Sequence, residues 1–433
     1  MAEPNVSHDN HWYWAFFVNK IAQGASSALI PLFVITVLEG HVGEVTLAAV
    51  AASASTIPAY MIWGTYVDRT GRRRMPLVWG MAMTALAYVV MTFTSDIWTF
   101  VGANLLAGFF LAATVPTSTI LILEHTKKES WGAEVGTFTK LNGVGYVVGL
   151  VAGAAYFAAT AGRLDPELAM RLFMGACAAV FAVAWLMTVV WVREPLYKFD
   201  HRWFVKDVLH LQAKYLEKQS YLPSQFLSRP GEIRKARRHG PGWGLQLDLY
   251  LVASFIVFVG FLVFYTPFPV MLADELALSE SQIFAVYLTS SIMAAALYGW
   301  AGREVDRIGN KRAQLGAWVA RVFIFAAFAG ALLLVARGDG TAAFVLAAAL
   351  NGAAGAVYAI IGVAGTTTVT RLAPSNLHGE ALGAYNAVVG VGIVVGGVLG
   401  GVIAASLGWY AVVATTSALI AVASLILWRL RAM

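Results

Sequence analysis

Apolar positions in this chain fall in long unbroken runs, not in the period-2 or period-3.6 alternation of a half-buried soluble element. The runs cover 12–38, 45–66, 76–94, 97–124, 135–161, 169–192, 247–273, 282–302, 314–336, 342–370, 381–406 and 408–428. Each is near or above the roughly 20 residues a helix needs to cross ~30 Å of hydrocarbon. They predict an all-α membrane protein with twelve transmembrane helices, numbered here as spans 1 to 12. Strands of a membrane barrel would alternate polarity over about ten residues, and no segment does so.

Composition narrows the class further. Apolar residues make up 59% and charged residues 12%, against about 45–50% and 25% in soluble domains; mean hydropathy is +0.69. A water-soluble enzyme, a disordered chain and a secreted disulfide scaffold are excluded. The net charge of +6 reads as basic loops that hold membrane topology, not as a nucleic-acid surface. A single cysteine, Cys177, lies in an apolar run. It allows no internal disulfide and no cysteine metal site, and suits a buried packing role. No metal or cofactor is expected. The opening MAEPNVSHDNHWYW has neither Lys nor Arg nor a small-residue cleavage site, so the first run is an uncleaved span.

An even number of spans puts both termini on one side. Of the 30 Lys and Arg, 24 fall on that side: the loops after spans 2, 4, 8 and 10, the long loop 193–246 and the C-terminus. Only Arg163 and Arg337 fall on the other, and Lys20, Lys140, Arg171 and Arg321 lie within spans. This asymmetry places both termini in the cytoplasm, which sets aside the sequon Asn5-Val6-Ser7. A multi-pass plasma-membrane protein, in a prokaryote the inner membrane, is expected.

The two halves align with each other. GTYVDRTGRRR (64–74) follows span 2 and GREVDRIGNKR (302–312) follows span 8. Gly64, Asp68, Arg69 and Gly71 recur 238 places on as Gly302, Asp306, Arg307 and Gly309. Pro31, Ser53 and Tyr60 recur at the same offset as Pro269, Ser291 and Tyr298. In later spans the offset is 247: Asn104 and Gly108 recur as Asn351 and Gly355, and Gly145, Gly149 and Gly153 as Gly392, Gly396 and Gly400. Two six-span bundles are predicted, 1–192 and 247–433, around a central cavity, joined by a cytoplasmic linker at 193–246. A parallel six-plus-six repeat is the architecture of a rocking carrier with solute bound near the midplane.

With Gly-x-x-x-Asp-Arg-x-Gly-Arg-Arg after span 2 and its weaker copy after span 8, the chain resembles the major facilitator superfamily over essentially its whole length. Read physically, Gly64 allows close helix approach, Gly71 a tight turn, and Arg72 and Arg73 retain the loop inside. The resemblance implies that Asp68 and Arg69, and more weakly Asp306 and Arg307, stabilise the outward-facing state through contacts between the halves. Two antiporter patterns are incomplete. Asn104 stands where span 4 usually carries Arg, and in the span 5 glycine run Leu150 and Ala154 replace Pro and Gly. The glycines Gly145, Gly149, Gly153, Gly392, Gly396 and Gly400 are expected to pack spans 5 and 11 closely at the moving interface.

Intramembrane charge is costly and marks function by default. Lys20 lies eight residues into span 1 and Lys140 about five into span 5. Two cations facing a cavity would attract an anionic solute; snorkelling to the interface is the alternative. Arg171 and Arg321, on spans that are usually peripheral, are expected to be structural. Uncharged solute-binding candidates are Gln23, Asn104, Asn142, Tyr265, Asn351, Tyr358 and Asn386; hydrogen bonding between helices is the competing role for the Asn pair. No Asp, Glu or His lies mid-span, so proton coupling would need Glu124, His125, Lys20 or the solute itself. In the linker, Phe204, Val208, Leu211 and Tyr215 form one apolar helical face flanked by Lys and Arg, a pattern for a helix lying on anionic lipid.

The reading is a monomeric secondary transporter, not an enzyme, that moves a small organic solute by alternating access in contact with membrane lipid. Efflux is the leading direction; an uptake carrier, uniporter or exchanger for a sugar or organic anion is the alternative.

Overall fold

The computed structural model describes residues 10–70, 72–125, 131–192, 244–373 and 378–430. Gly71 and the linker segment 193–243, with its predicted amphipathic helix, lie outside the described residues, as do the side chains at 64, 68, 69, 124, 125 and 306.

Eleven of the described helices are long and apolar enough to cross a membrane. Spans 1 to 3 are Tyr13–Thr36, Val42–Thr70 and Arg74–Phe93; spans 5 and 6 are Trp131–Thr160 and Pro166–Trp191. Spans 8 to 12 are Glu280–Ile308, Asn310–Ala336, Gly340–Leu372, His378–Leu407 and Trp409–Arg429. The remaining two passages are broken. Span 4 runs as Ile97–Leu111 and Thr114–His125 with a turn at Ala112 and Ala113, because Pro116 has no N–H to give the carbonyl four residues back. Span 7 is helical over Leu245–Tyr265, then passes through Phe268–Val270 into a π-helical turn, Met271–Glu275. Pro267 and Pro269 interrupt the ladder there, whereas span 1 carries the single Pro31 and stays continuous.

Spans 4, 6, 8 and 10 begin at the end opposite the Arg-rich loops, and each start has a polar cap. Asp96, Asp165 and Asp339 accept from the amides of Thr99, Leu168 and Ala342. Ser279 and Gln282 form a capping box, with the Ser279 amide 2.9 Å from Gln282 Oε1. These caps satisfy amides that a helix start leaves open. At the other end of span 8, Gly309 takes φ +86°, a conformation a side chain would strain.

Packing repeats as the sequence does. In the first half span 1 lies on spans 5 and 6, span 3 on 4 and 6, and span 2 on 4. In the second half span 7 lies on 11 and 12, span 9 on 10 and 12, and span 8 on 10. The halves meet through spans 5 and 8 and spans 2 and 11. These meetings concentrate at the capped end. A methyl group built on Gly401 would strike Thr46, one on Gly397 would come 2.7 Å from the Val50 side chain, and one on Gly153 would strike the Phe284 ring. Phe284 also stacks on Phe157 at 5.5 Å and meets Phe173 edge-on at 6.0 Å, fixing span 8 between spans 5 and 6.

Toward the Arg-loop end the same spans carry exposed side chains. The repeat mates Tyr60 and Tyr298 are 44% and 43% exposed, and a methyl on Gly302 would meet open space. Among the described residues, the contacts between the halves thus lie at the capped end.

Candidate functional site

The glycine run sets how closely the helices approach. A methyl on Gly145 would come 2.6 Å from the Phe17 carbonyl oxygen, and one on Gly149 would come 2.7 Å from the Ala25 amide nitrogen. Their mates Gly392 and Gly396 abut Phe255 and Val259 in the same way, and Gly400 abuts Val263. These glycines therefore pack spans 5 and 11 onto spans 1 and 7 inside each half. That differs from the expected place at the moving interface, where only Gly153 of the run lies; Gly397 and Gly401 cross on the other side. The reason is rotation about the helix axis: residues four apart share one face, and that face is turned inward.

Packed against span 5 in this way, span 1 carries a part-buried polar row. Lys20 Nζ donates to Gln23 Oε1 at 2.7 Å, and Gln23 Nε2 donates to Asn19 Oδ1. The Lys20 stem lies against Gly145. Asn19 Nδ2 and, on span 5, Asn142 Oδ1 are buried without a hydrogen-bond partner among the described residues. An amide donor and an amide acceptor left open in a membrane core are free energy available to a ligand. Asn19 was not singled out in the sequence, although its spacing to Gln23, one helical turn, is legible there.

Span 7 presents the opposite chemistry. The repeat mates of Asn19, Lys20 and Gln23 are Val257, Phe258 and Phe261. Behind them lies Arg321, expected at the periphery yet only 2% exposed. Its guanidinium is 4.2 Å from the Phe261 ring centre, 5.4 Å from that of Tyr358, 5.7 Å from that of Phe325 and 5.9 Å from that of Tyr265. Nη2 donates to the Ala354 carbonyl at 3.0 Å, and Nε has no partner. Tyr358, on span 10, is 42% exposed and shares the Arg321 guanidinium with Tyr265 of span 7. Tyr265 donates from its hydroxyl to Asn351 Oδ1 at 3.4 Å.

The paired asparagines are engaged inside their own halves. Asn104 Nδ2 donates to the Ala48 carbonyl at 2.9 Å and Asn351 Nδ2 to the Val286 carbonyl at 2.8 Å. Lys140 and Asn386 are exposed.

In the loop motif, Arg73 is buried and donates to the Val67 carbonyl at 2.6 Å, closing the end of span 2. Arg72 is exposed; its amide bonds the Thr70 hydroxyl. Arg307 pairs with Glu304 at 2.6 Å on the surface, where such a pair contributes little stability. Gly64, Asp68, Arg69, Gly71 and Asp306 are outside the described side chains, so the expected contacts between the halves are not among those seen. No group of His, Cys, Asp and Glu suited to a metal occurs among the described residues. Arg171, by contrast, anchors the capped end: it pairs with Glu167 at 2.8 Å and donates to the carbonyls of Thr92 and Thr94.

Comparison with known proteins agrees with this architecture. The family model described as Major Facilitator Superfamily matches residues 12–386. The multi-drug resistance efflux pump PmrA of Streptococcus pneumoniae is 24% identical, covering 72% of this chain and 71% of that protein. The multidrug resistance protein MdtG of a Rahnella species is 29% identical over 46% of this chain and 50% of its own length. Among solved structures, the nucleoside transporter NupG superposes with a TM-score of 0.70 at 13% identity, covering 98% of this chain and 99% of that one. The inward-open xylose transporter XylE from E. coli gives 0.67 at 15% identity, covering 97% and 95%.

Proposed function

This chain belongs to the Major Facilitator Superfamily, and from that premise we propose that it is a uniporter or exchanger for an amphipathic organic anion. It is a multi-pass secondary transporter that moves a small organic solute by alternating access, and it is not an enzyme. The observation that carries the proposed substrate class is the clasp Lys20–Gln23–Asn19 on a membrane span, with an aromatic counterpart at the same repeat positions of span 7. A carboxylate beside Lys20 would use the open Asn19 donor, and an apolar or aromatic body would lie along Phe258 and Tyr358. The spans hold cations but no mid-span carboxylate. Such a site favours anions over cations, and it lacks the titratable acid that proton antiport would use. Direction then follows the solute gradients. Proton coupling, where present, falls to Glu124, His125 or Lys20.

The Lys and Arg bias favours cytoplasmic termini in a prokaryotic inner membrane, and the contacts between the halves at the capped end favour a state that faces inward. The motif residues Asp68 and Arg69 would engage on the alternate swing. We read the carrier as a monomer surrounded by lipid.

Efflux of drug-like compounds is the second reading, favoured by the sequence similarity to PmrA and MdtG. Counterflow in proteoliposomes with three isosteres separates the two: 3-phenylpropionate (anion), 3-phenylpropanol (neutral) and 3-phenylpropylammonium (cation). The anion reading expects exchange of the propionate. Movement of the ammonium with the propionate inert would sink it and leave efflux.

A further inference from the structure

We infer that Arg321 is a charge-selectivity determinant: a fixed cation that acts on the solute through the rings of Tyr265 and Tyr358. The inference rests on the anion-carrier reading for its biological sense but not for its test.

A buried guanidinium is normally matched by a carboxylate, because an unpaired charge in low dielectric costs several kcal/mol. Arg321 has no such match among the described residues. One N–H bonds the Ala354 carbonyl, Nε bonds nothing, and the rest of its surroundings are the π-faces of Phe261, Tyr265, Phe325 and Tyr358. Arginine keeps its charge in such a site, and π-faces compensate it only in part. The uncompensated charge therefore projects through the rings. Tyr358 is the path outward: its ring lies over the guanidinium, while the side chain is 42% exposed.

The sequence offers no symmetric explanation. The position 238 residues before Arg321 is Met83, so the cation is not a relic of the repeat or a shared packing device. It sits in the half whose span 7 has lost the polar row, and it restores positive potential there. A solute charge on the open side of Tyr358 would lie roughly 9 Å from the guanidinium, where Coulomb interaction at an effective dielectric of ~20 alters affinity by about twentyfold for each sign. Anions gain and cations lose, so the anion-to-cation ratio moves by roughly several hundredfold.

The test measures binding of the three phenylpropyl isosteres to purified full-length protein. Arg321→Gln is expected to weaken 3-phenylpropionate about twentyfold, strengthen 3-phenylpropylammonium about twentyfold and leave 3-phenylpropanol unchanged. Arg321→Lys is expected to retain the wild-type ratio. If all three ligands weaken together, or none changes, Arg321 is structural and the inference is overturned. Should the Gln variant not fold, Arg321→Met fills the aromatic box without a charge and is read the same way. Should neither neutral variant fold while Arg321→Lys does, the charge itself maintains the fold and the selectivity role is rejected. The wild-type preference tests the anion reading separately. A wild type that prefers the ammonium overturns that reading, yet the Gln variant must still move the ratio toward the cation if Arg321 acts as inferred.

Discussion

Asn104 and Asn351 make the same bond twice: each donates its amide to a carbonyl of the neighbouring span, Ala48 at 2.9 Å and Val286 at 2.8 Å, and the acceptors are themselves repeat mates. The pattern extends to Ser53 and Ser291, which bond back to Ala49 and Tyr287, and to Gly108 and Gly355, which abut Ala52 and Ser290. A duplicated scaffold thus carries two unlike walls.

Because both asparagine donors are occupied between helices, Asn104→Leu and Asn351→Leu should act on stability. Each should cost about 0.6 kcal/mol, with a ceiling near 2, seen as a lower melting temperature with the order of isostere affinities kept. Loss of binding at an unchanged melting temperature would assign the pair to the solute instead.

Lys20→Met should weaken 3-phenylpropionate by more than about tenfold while the neutral alcohol holds. Asn19→Ala should weaken the same ligand less, since it removes the support of Gln23 and one open donor. Equal losses for acid and alcohol would reduce both residues to packing.

Gly149 and Gly302 should respond in opposite senses to alanine. At Gly149 the methyl meets the Ile21 carbonyl and the Ala25 amide, and overpacking of this kind costs about 1–3 kcal/mol. At Gly302 it meets open space, and removing a helical glycine gains about 0.5–1 kcal/mol. Thermal melting of the two variants decides it.

Asp96 gives a pH signature outside the spans. Hydrogen bonds from the Thr99 side chain and amide hold its carboxyl below the usual carboxylate value. A depressed folded value stabilises above the unfolded one and is lost as pH falls through the folded one. Asp96→Ala should therefore melt lower than wild type at pH 7, and the gap should close as pH drops below about 4. A gap that stays constant to pH 3 would mean the cap contributes nothing through its charge.

The contact of Val50 with Gly397 allows the closed end to be locked. With Cys177 replaced by Ala, Val50→Cys and Gly397→Cys should form a disulfide that stops transport until it is reduced. Full transport in the oxidised protein would show that this end need not open.

Twelve passages and the two offsets were legible because bilayer thickness and duplication both impose long, regular patterns on the chain. Breaks were less so: Pro116, Pro267 and Pro269 were visible, but span 4 and span 7 still read as single runs. The orientation of Arg321 was not legible for a physical reason. Apart from Gln314 and Arg321, span 9 is apolar nearly all round, so its sequence has no clear face that distinguishes lipid from protein. The same loss of amphipathicity hid which way the span 5 glycines turn. Asn19, beside Lys20 and one turn before Gln23, was there to be read.

The shift of offset from 238 to 247 arises between the mates Arg74 and Arg312 and the mates Asn104 and Asn351. Both connecting turns have three residues, 94–96 and 337–339, so all nine additional residues are helical: five in span 9 and four in span 10. At 1.5 Å per residue this hairpin stands roughly 6–7.5 Å taller than its counterpart at the capped end. Lipid on that flank must thicken or the hairpin must tilt, which makes acyl-chain length a determinant of how freely the second half rocks against the first.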